Sequence, residues 1–137
     1  GVYPGVPQSS GKLLAEYADT VLEAISTGCF SYIAHPDLFL FIGSDDIYET
    51  QMTRLCRGAK ALGIPLEVNM LGLSDHRHYP SERFFSIAAA EGCDTVIGCD
   101  AHNPQSLSDT AAQNAAFEFA RSFGLTPLKE ISLKKIK

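Results

Sequence analysis

Three residues of the types that bind metals lie at or just after the ends of two short apolar segments. His35 ends the segment that begins at Tyr32, while Asp100 and His102 follow the apolar segment Thr95–Gly98. Side chains alternate along an extended chain, so Asp100 and His102 lie on the same side and both can reach one ion. Imidazole and carboxylate groups are common ligands of Zn, Mn and Fe ions. This pattern predicts a divalent metal site made of His35, Asp100 and His102.

Taken one at a time, these residues have a simpler explanation. A histidine beside a proline is more often a turn or capping residue, and an Asp-x-His sequence also serves turns and caps. Three potential ligands at equivalent strand ends are harder to explain in that way. The joint pattern therefore favours the metal site over the structural alternative.

The elements that position these residues alternate between helix and strand. From His35 to Asn69 the chain advances 34 residues, and from Asn69 to Asp100 it advances 31, each about one βαβ unit. Parallel strands joined by right-handed crossovers are expected at this spacing. Helices are predicted over about 10–27, 44–63, 81–92 and 108–123, and strands over 32–35, 65–70, 95–98 and about 126–131. Apolar residues recur at helical spacing within the predicted helices and mark the stripes that should pack inward. Glycines stop the helices, namely Gly28, Gly63, Gly92 and Gly124.

The strand over residues 65–70 carries polar residues on one face. Glu67 and Asn69 share that face, and the alternate residues are apolar. A parallel strand between two helix layers would be apolar on both faces. A polar face instead indicates the polar interior near the mouth of a barrel. A complete (β/α)8 barrel needs about 250 residues. The chain is therefore predicted to form about half of one, with a small open α/β sheet as the alternative.

Composition limits the partners and the compartment. The net charge of -5 with 11 Lys and Arg residues argues against a nucleic-acid partner, and no apolar run approaches the ~20 residues of a membrane span. None of the four cysteines forms a C-x-x-C pair, which argues against a zinc knuckle or a thioredoxin-type motif. Because the sequence shows no secretory signal pattern, the thiols are predicted to be reduced, in a cytoplasmic protein. Residues 1–9 are predicted to be loop-like, and residues 10–137 one partial domain.

Three segments, 32–37, 66–69 and 98–102, occur in an order and spacing that resemble the later motifs of the PHP (polymerase and histidinol phosphatase) family. The resemblance extends over essentially the whole chain from about Ser10. It implies a distorted barrel of seven or eight β/α units, of which this chain is the C-terminal half.

The same resemblance implies roles for individual residues. His35, Asp100 and His102 would bind divalent metal ions (Mn, Zn or Fe), and Asp100 and His102 would also be catalytic. Glu67 and Asn69 would orient the ligands without binding metal themselves. The family usually has a serine where this chain has Cys99, which leaves both neighbouring ligands intact.

The loop over residues 75–81 is similar to that of the histidinol-phosphate phosphatase branch of the family. Arg77 would bind the substrate phosphate, because a planar guanidinium fork matches phosphate oxygens. The alternative is an arginine that is simply exposed on a polar loop. His78 is a second substrate-binding candidate, and His76 is a spare one. The resemblance implies a parent protein that hydrolyses L-histidinol phosphate to L-histidinol and phosphate in histidine biosynthesis.

One family feature is missing from this chain. PHP enzymes have an N-terminal His-x-His motif and further early ligands, whereas the His-x-His here, His76 to His78, belongs to a mid-chain loop. We therefore expect the isolated chain to be inactive, with the missing ligands supplied by an N-terminal half of the barrel or by a second copy. Two other classes stay open: a non-catalytic PHP-like scaffold or ligand-binding module, and an unrelated small α/β regulatory domain with His35 far from Asp100.

Overall fold

The computed structural model of the chain describes residues 7–74, 78–98 and 110–128. It is a mixed α/β structure with parallel strands, in agreement with the predicted class. Within these ranges the elements, in chain order, are α1 (Gly11–Ser26), α2 (Asp45–Leu62), β1 (Leu66–Asn69), α3 (Met70–Ser74), α4 (Glu82–Ala90), β2 (Thr95–Gly98) and α5 (Thr110–Arg121).

The two strands and two isolated bridges follow one another across the sheet in chain order. β1 and β2 pair in parallel, with Asn69 opposite Gly98. A parallel bridge joins Ile33 to β1, and another joins β2 to Leu128. The backbone therefore crosses the sheet from Ile33 to β1, then β2, then Leu128, and helices connect these positions. The parallel pairing is the one that the helix–strand alternation predicts.

The strand predicted over residues 32–35 is shorter than expected, since it is reduced to the single bridge at Ile33. The extended conformation stops at His35, whose φ is 27°, and Pro36 follows. A proline has no N–H to donate, so it cannot continue a strand ladder. The first predicted strand is therefore one pairing position followed by a turn.

Helices α2 and α4 end in the same hydrogen-bond pattern. Gly63 and Gly92 have left-handed φ angles of 67° and 71°, which glycine adopts without steric cost. The next residues, Ile64 and Cys93, donate their N–H groups to carbonyls of the last helical turn at 2.9 and 3.0 Å, which makes each end a Schellman motif. Two residues later the chain enters β1 or β2. The predicted glycine stops are therefore the points where each helix returns the chain to the sheet.

The short helix α3 is an element that the sequence patterns did not predict. It begins directly after β1, where the side-chain oxygen of Asn69 accepts the N–H of Gly72 at 2.8 Å. An asparagine oxygen that binds the N–H three residues ahead is a typical N-cap. Asn69 thus ends the strand and starts the helix.

The core lies between the helices and the strands. The helix stripes predicted from periodicity are the faces that pack inward, and the same cluster contains Ile33 and residues of β1. Its largest fully enclosed side chains include Leu14, Phe41, Met52, Leu55, Leu66, Val68, Phe84 and Phe85. Among the described helices, none has the length and apolar content that a bilayer crossing requires.

Candidate functional site

Glu67 on β1 is a buried carboxyl group at the centre of the site, with 3% of its surface exposed. Its Oε1 accepts the backbone N–H of His35 and the side-chain amide of Asn69, both at 2.9 Å. Its Oε2 lies over Gly98, where an added Cβ would be 1.9 Å away. The Glu67 side chain therefore contacts the turn after the bridge at Ile33, the end of β1 and the end of β2.

His35 has an unusual backbone. Its φ of 27° lies in the left-handed region, although a residue before proline is normally extended. Its carbonyl accepts the N–H of Leu38 at 3.0 Å, which closes a turn, and its own N–H is bound by Glu67. Strained non-glycine residues persist where the surroundings hold them, and they cluster at functional sites. The structure thus holds the first predicted ligand in a specific, strained position.

The loop that follows α3 is attached to the turn at His35. His78 donates its Nε2–H to the carbonyl oxygen of Leu38 at 2.5 Å, since a carbonyl can only accept. The ring of Tyr79 contacts both imidazoles, with centroid distances of 5.4 Å to His35 and 5.0 Å to His78. His78 and Tyr79, in the described part of the predicted substrate loop, and the predicted metal ligand His35 are therefore neighbours.

Asp37 is a second buried carboxyl group in this turn, with 4% of its surface exposed. One oxygen, Oδ2, accepts the backbone N–H of Ser81, the N-cap residue of α4. The other, Oδ1, is buried without a hydrogen-bond partner among the described residues. Burial raises the pKa of Asp37 to about 7, and the nearby Glu67 adds to the rise, whereas the hydrogen bonds from Ser81 oppose it. The group therefore changes charge near neutral pH.

The structure brings four of the predicted site residues together. Glu67 and Asn69 hydrogen-bond to each other, Glu67 binds the backbone of His35, and His78 reaches the same turn. Both Glu67 and Asn69 are buried. The predictions for Arg77, Asp100 and His102, and the spare candidate His76, concern positions outside the described residues.

The donor types of the predicted metal site suit a divalent ion. His35 is the one predicted ligand in the described ranges, and no three His, Cys, Asp or Glu side chains of those ranges form a metal site. An imidazole, a second imidazole and a carboxylate are ligands that Zn, Mn and Fe all accept. The agreement between the predicted site and a divalent ion therefore rests on the side-chain chemistry of His35, Asp100 and His102.

Sequence reasoning missed three residues of this site. Asp37 follows the predicted ligand by two positions, Gly98 ends β2, and Tyr79 lies within the candidate substrate loop. Local sequence signals existed for the first two, namely an acidic residue directly after a His-Pro pair and a glycine at a strand end. Nothing in the local sequence indicates that Tyr79 contacts His35.

Comparisons of the chain with family models, with curated proteins and with solved structures find no match. The functional argument therefore rests on the sequence motifs and on the geometry of this site.

Replacement of Gly98 by Ala should destabilise the protein by about 1–3 kcal/mol, because the new methyl group would overlap the Glu67 carboxyl group. Urea unfolding measures the loss. In a Glu67→Ala background the same substitution should cost much less, whereas in Glu67→Gln, which keeps the side-chain length, the cost should persist. An equal cost in all three backgrounds would show that Glu67 does not occupy the space over Gly98.

Asp37 should make stability fall as pH rises. The folded protein keeps its proton up to a pKa of about 7, whereas the unfolded chain releases it near ~3.9. Proton binding therefore favours the folded state most at low pH. The contribution is lost between pH ~4 and 7, by about 4 kcal/mol at most. Because other carboxyl groups titrate in this range, the measured quantity is the difference between wild type and Asp37→Asn.

Urea unfolding from pH 4 to 8 in metal-free buffer provides the test. The stability of Asp37→Asn relative to wild type should increase steadily with pH and level off above pH ~7. Asp94→Asn makes the same chemical change at an exposed position and should keep the wild-type slope. A pH-independent difference between wild type and Asp37→Asn would mean that Asp37 titrates normally.

Proposed function

We propose that this chain is the C-terminal half of a PHP-type barrel and that its parent protein is a metal-dependent phosphomonoesterase. The observation that carries the proposal is His35, held by Glu67 in a left-handed conformation where the extended segment at Ile33 ends. Active sites of parallel α/β folds lie at the carboxyl ends of their strands. The sequential parallel order of Ile33, β1, β2 and Leu128 is consistent with a barrel segment.

In this proposal His35, Asp100 and His102 hold the metal ions. When bound, such ions supply positive charge beside the substrate phosphate and acidify water. Asp100 and His102 also serve the proton transfers of the reaction. Glu67 has a positioning role, because its carboxyl group fixes the backbone from which the His35 imidazole projects.

The proposed substrate is L-histidinol phosphate, hydrolysed to L-histidinol and inorganic phosphate. Arg77 binds the phosphate with its guanidinium fork, and His78 assists. The support is the attachment of this loop to the His35 turn: Arg77 is bonded directly to His78, and His78 is hydrogen-bonded to Leu38. A substrate held by this loop would lie next to the proposed metal ligand His35.

Three ligands are too few for the multinuclear site proposed here. We therefore propose that an N-terminal half of the barrel, or a second copy, supplies the others, and that the 137-residue chain by itself is inactive. The two remaining function classes differ from this one in measurable ways. A non-catalytic scaffold would bind a ligand without hydrolysing it, and an unrelated regulatory domain would bind no metal through His35.

Metal content and phosphate release by the complete parent protein test the proposal together. His35→Ala and Asp100→Ala should each lower the bound metal, measured by elemental mass spectrometry, and reduce hydrolysis of L-histidinol phosphate at least 100-fold. A chelator should abolish activity, and Mn or Zn should restore it. Asp94→Ala, at the other end of the β2 segment, should retain both metal and activity. Wild-type metal content in both site variants would refute the proposed ligands.

The role of Arg77 has its own readout. Arg77→Ala should raise KM for L-histidinol phosphate at least tenfold and change kcat less, because the lost contact binds the phosphate. Arg121→Ala removes the same charge from an exposed position at the end of α5 and should leave KM unchanged. An unchanged KM in Arg77→Ala would mean that Arg77 is simply exposed.

A further inference from the structure

Two cysteines from distant parts of the chain meet inside the protein. Cys56 lies on α2 and Cys93 directly after the glycine that ends α4, with 0% and 5% of their surfaces exposed. The Sγ of Cys93 is 3.3 Å from the carbonyl oxygen of Cys56. The Cys93 thiol thus lies against Cys56, which is 37 positions earlier in the sequence, in a part of the fold that the proposed phosphatase chemistry does not use.

The two thiols are chemically unequal. A hydrogen bond between them is the largest cause of both pKa shifts: it lowers the pKa of Cys93 and raises that of Cys56. The ammonium group of Lys60 also lowers the pKa of Cys93, and it is held there by a 2.6 Å hydrogen bond to the carbonyl of Gly92. A nearby cation and a hydrogen bond accepted from Cys56 both favour a thiolate, the nucleophilic form of cysteine. Burial, Glu91 and Asp94 oppose it, and the net effect is a lowered pKa of Cys93. In the protonated state the Cys93 S–H donates to the carbonyl oxygen of Cys56.

We propose that Cys93 and Cys56 form a peroxide-sensitive dithiol, in which Cys93 is oxidised first and Cys56 then closes an intramolecular disulfide. The inference rests on the position of the Cys93 thiol against Cys56 and on the Lys60 ammonium group at the carbonyl of the adjoining Gly92. It is independent of the proposed hydrolase activity. A small oxidant is required because Cys93 is almost enclosed, and hydrogen peroxide is close to water in size.

The reaction has two balanced steps. The Cys93 thiolate attacks one oxygen of hydrogen peroxide, the O–O bond breaks, and hydroxide leaves, which gives a sulfenic acid at Cys93. The sulfur of Cys56 then attacks the Cys93 sulfur, the S–O bond breaks, and water leaves with the Cys56 proton. The hydroxide takes up the proton that the Cys93 thiol had released. In total, two thiols and one peroxide become one disulfide and two waters.

Mass spectrometry of the folded protein after peroxide treatment tests the proposal. A Cys29→Ser/Cys99→Ser variant retains the pair and removes the other two thiols. It should lose about 2 Da on oxidation, and its non-reducing peptide map should contain a Cys56–Cys93 link. Wild type should give the same link. The same treatment in denaturing urea should yield other pairings in wild type, because the unfolded chain no longer holds the two thiols together.

Single variants test the order of the two steps. In Cys56→Ser, peroxide should produce a sulfenic acid at Cys93 that dimedone traps, whereas in Cys93→Ser the dimedone adduct at Cys56 should be at least tenfold less abundant. Circular dichroism before treatment establishes that each variant is folded. The peptide map of wild type tests the link in a protein without any substitution. The proposal is overturned if folded wild type and the double variant both lack the Cys56–Cys93 link at peroxide concentrations that fully oxidise free glutathione. It is also overturned if dimedone traps Cys56 before Cys93.

Discussion

The site depends on one buried carboxyl group, that of Glu67. A carboxyl group removed from water is costly unless its oxygens find partners, and Glu67 finds them in the backbone of His35 and the amide of Asn69. Asn69 in turn caps α3, and the second oxygen of Glu67 needs the space that Gly98 leaves free. The turn after the first strand position, the end of β1 and the end of β2 are therefore positioned by a single side chain.

The turn at His35 is also held from outside the sheet. The hydroxyl group of Tyr17, on α1, donates to the carbonyl of Pro36 at 2.7 Å, and Asp37 binds the backbone at Ser81. Burial of these groups raises the pKa values of both Tyr17 and Asp37, so their neutral forms are favoured. The turn is thus connected to α1, to the start of α4 and to β1, and a residue with a strained backbone needs such support.

The two chemically distinct regions of the molecule lie at opposite ends of the strands. Glu67 and Gly98 meet at the carboxyl ends of β1 and β2, whereas Cys93 precedes the amino end of β2 and faces Cys56 on α2. The Schellman motif at Gly92 aligns the second region, since it directs the chain from α4 towards β2 and leaves Cys93 facing inward. One helix end therefore positions both the strand and the thiol.

The sequence alone determined the class of the fold, the four long helices with their glycine stops, the parallel pairing of the strands and the common polar face of Glu67 and Asn69. These are local properties, because periodicity and capping depend on residues within a few positions of one another. Only the tertiary structure decided that Glu67 binds the His35 backbone and occupies the space over Gly98, that Asp37 is buried, and that Cys56 meets Cys93. These contacts join residues about 30 to 45 positions apart, and their geometry follows from the packing of whole elements, which local sequence patterns do not specify.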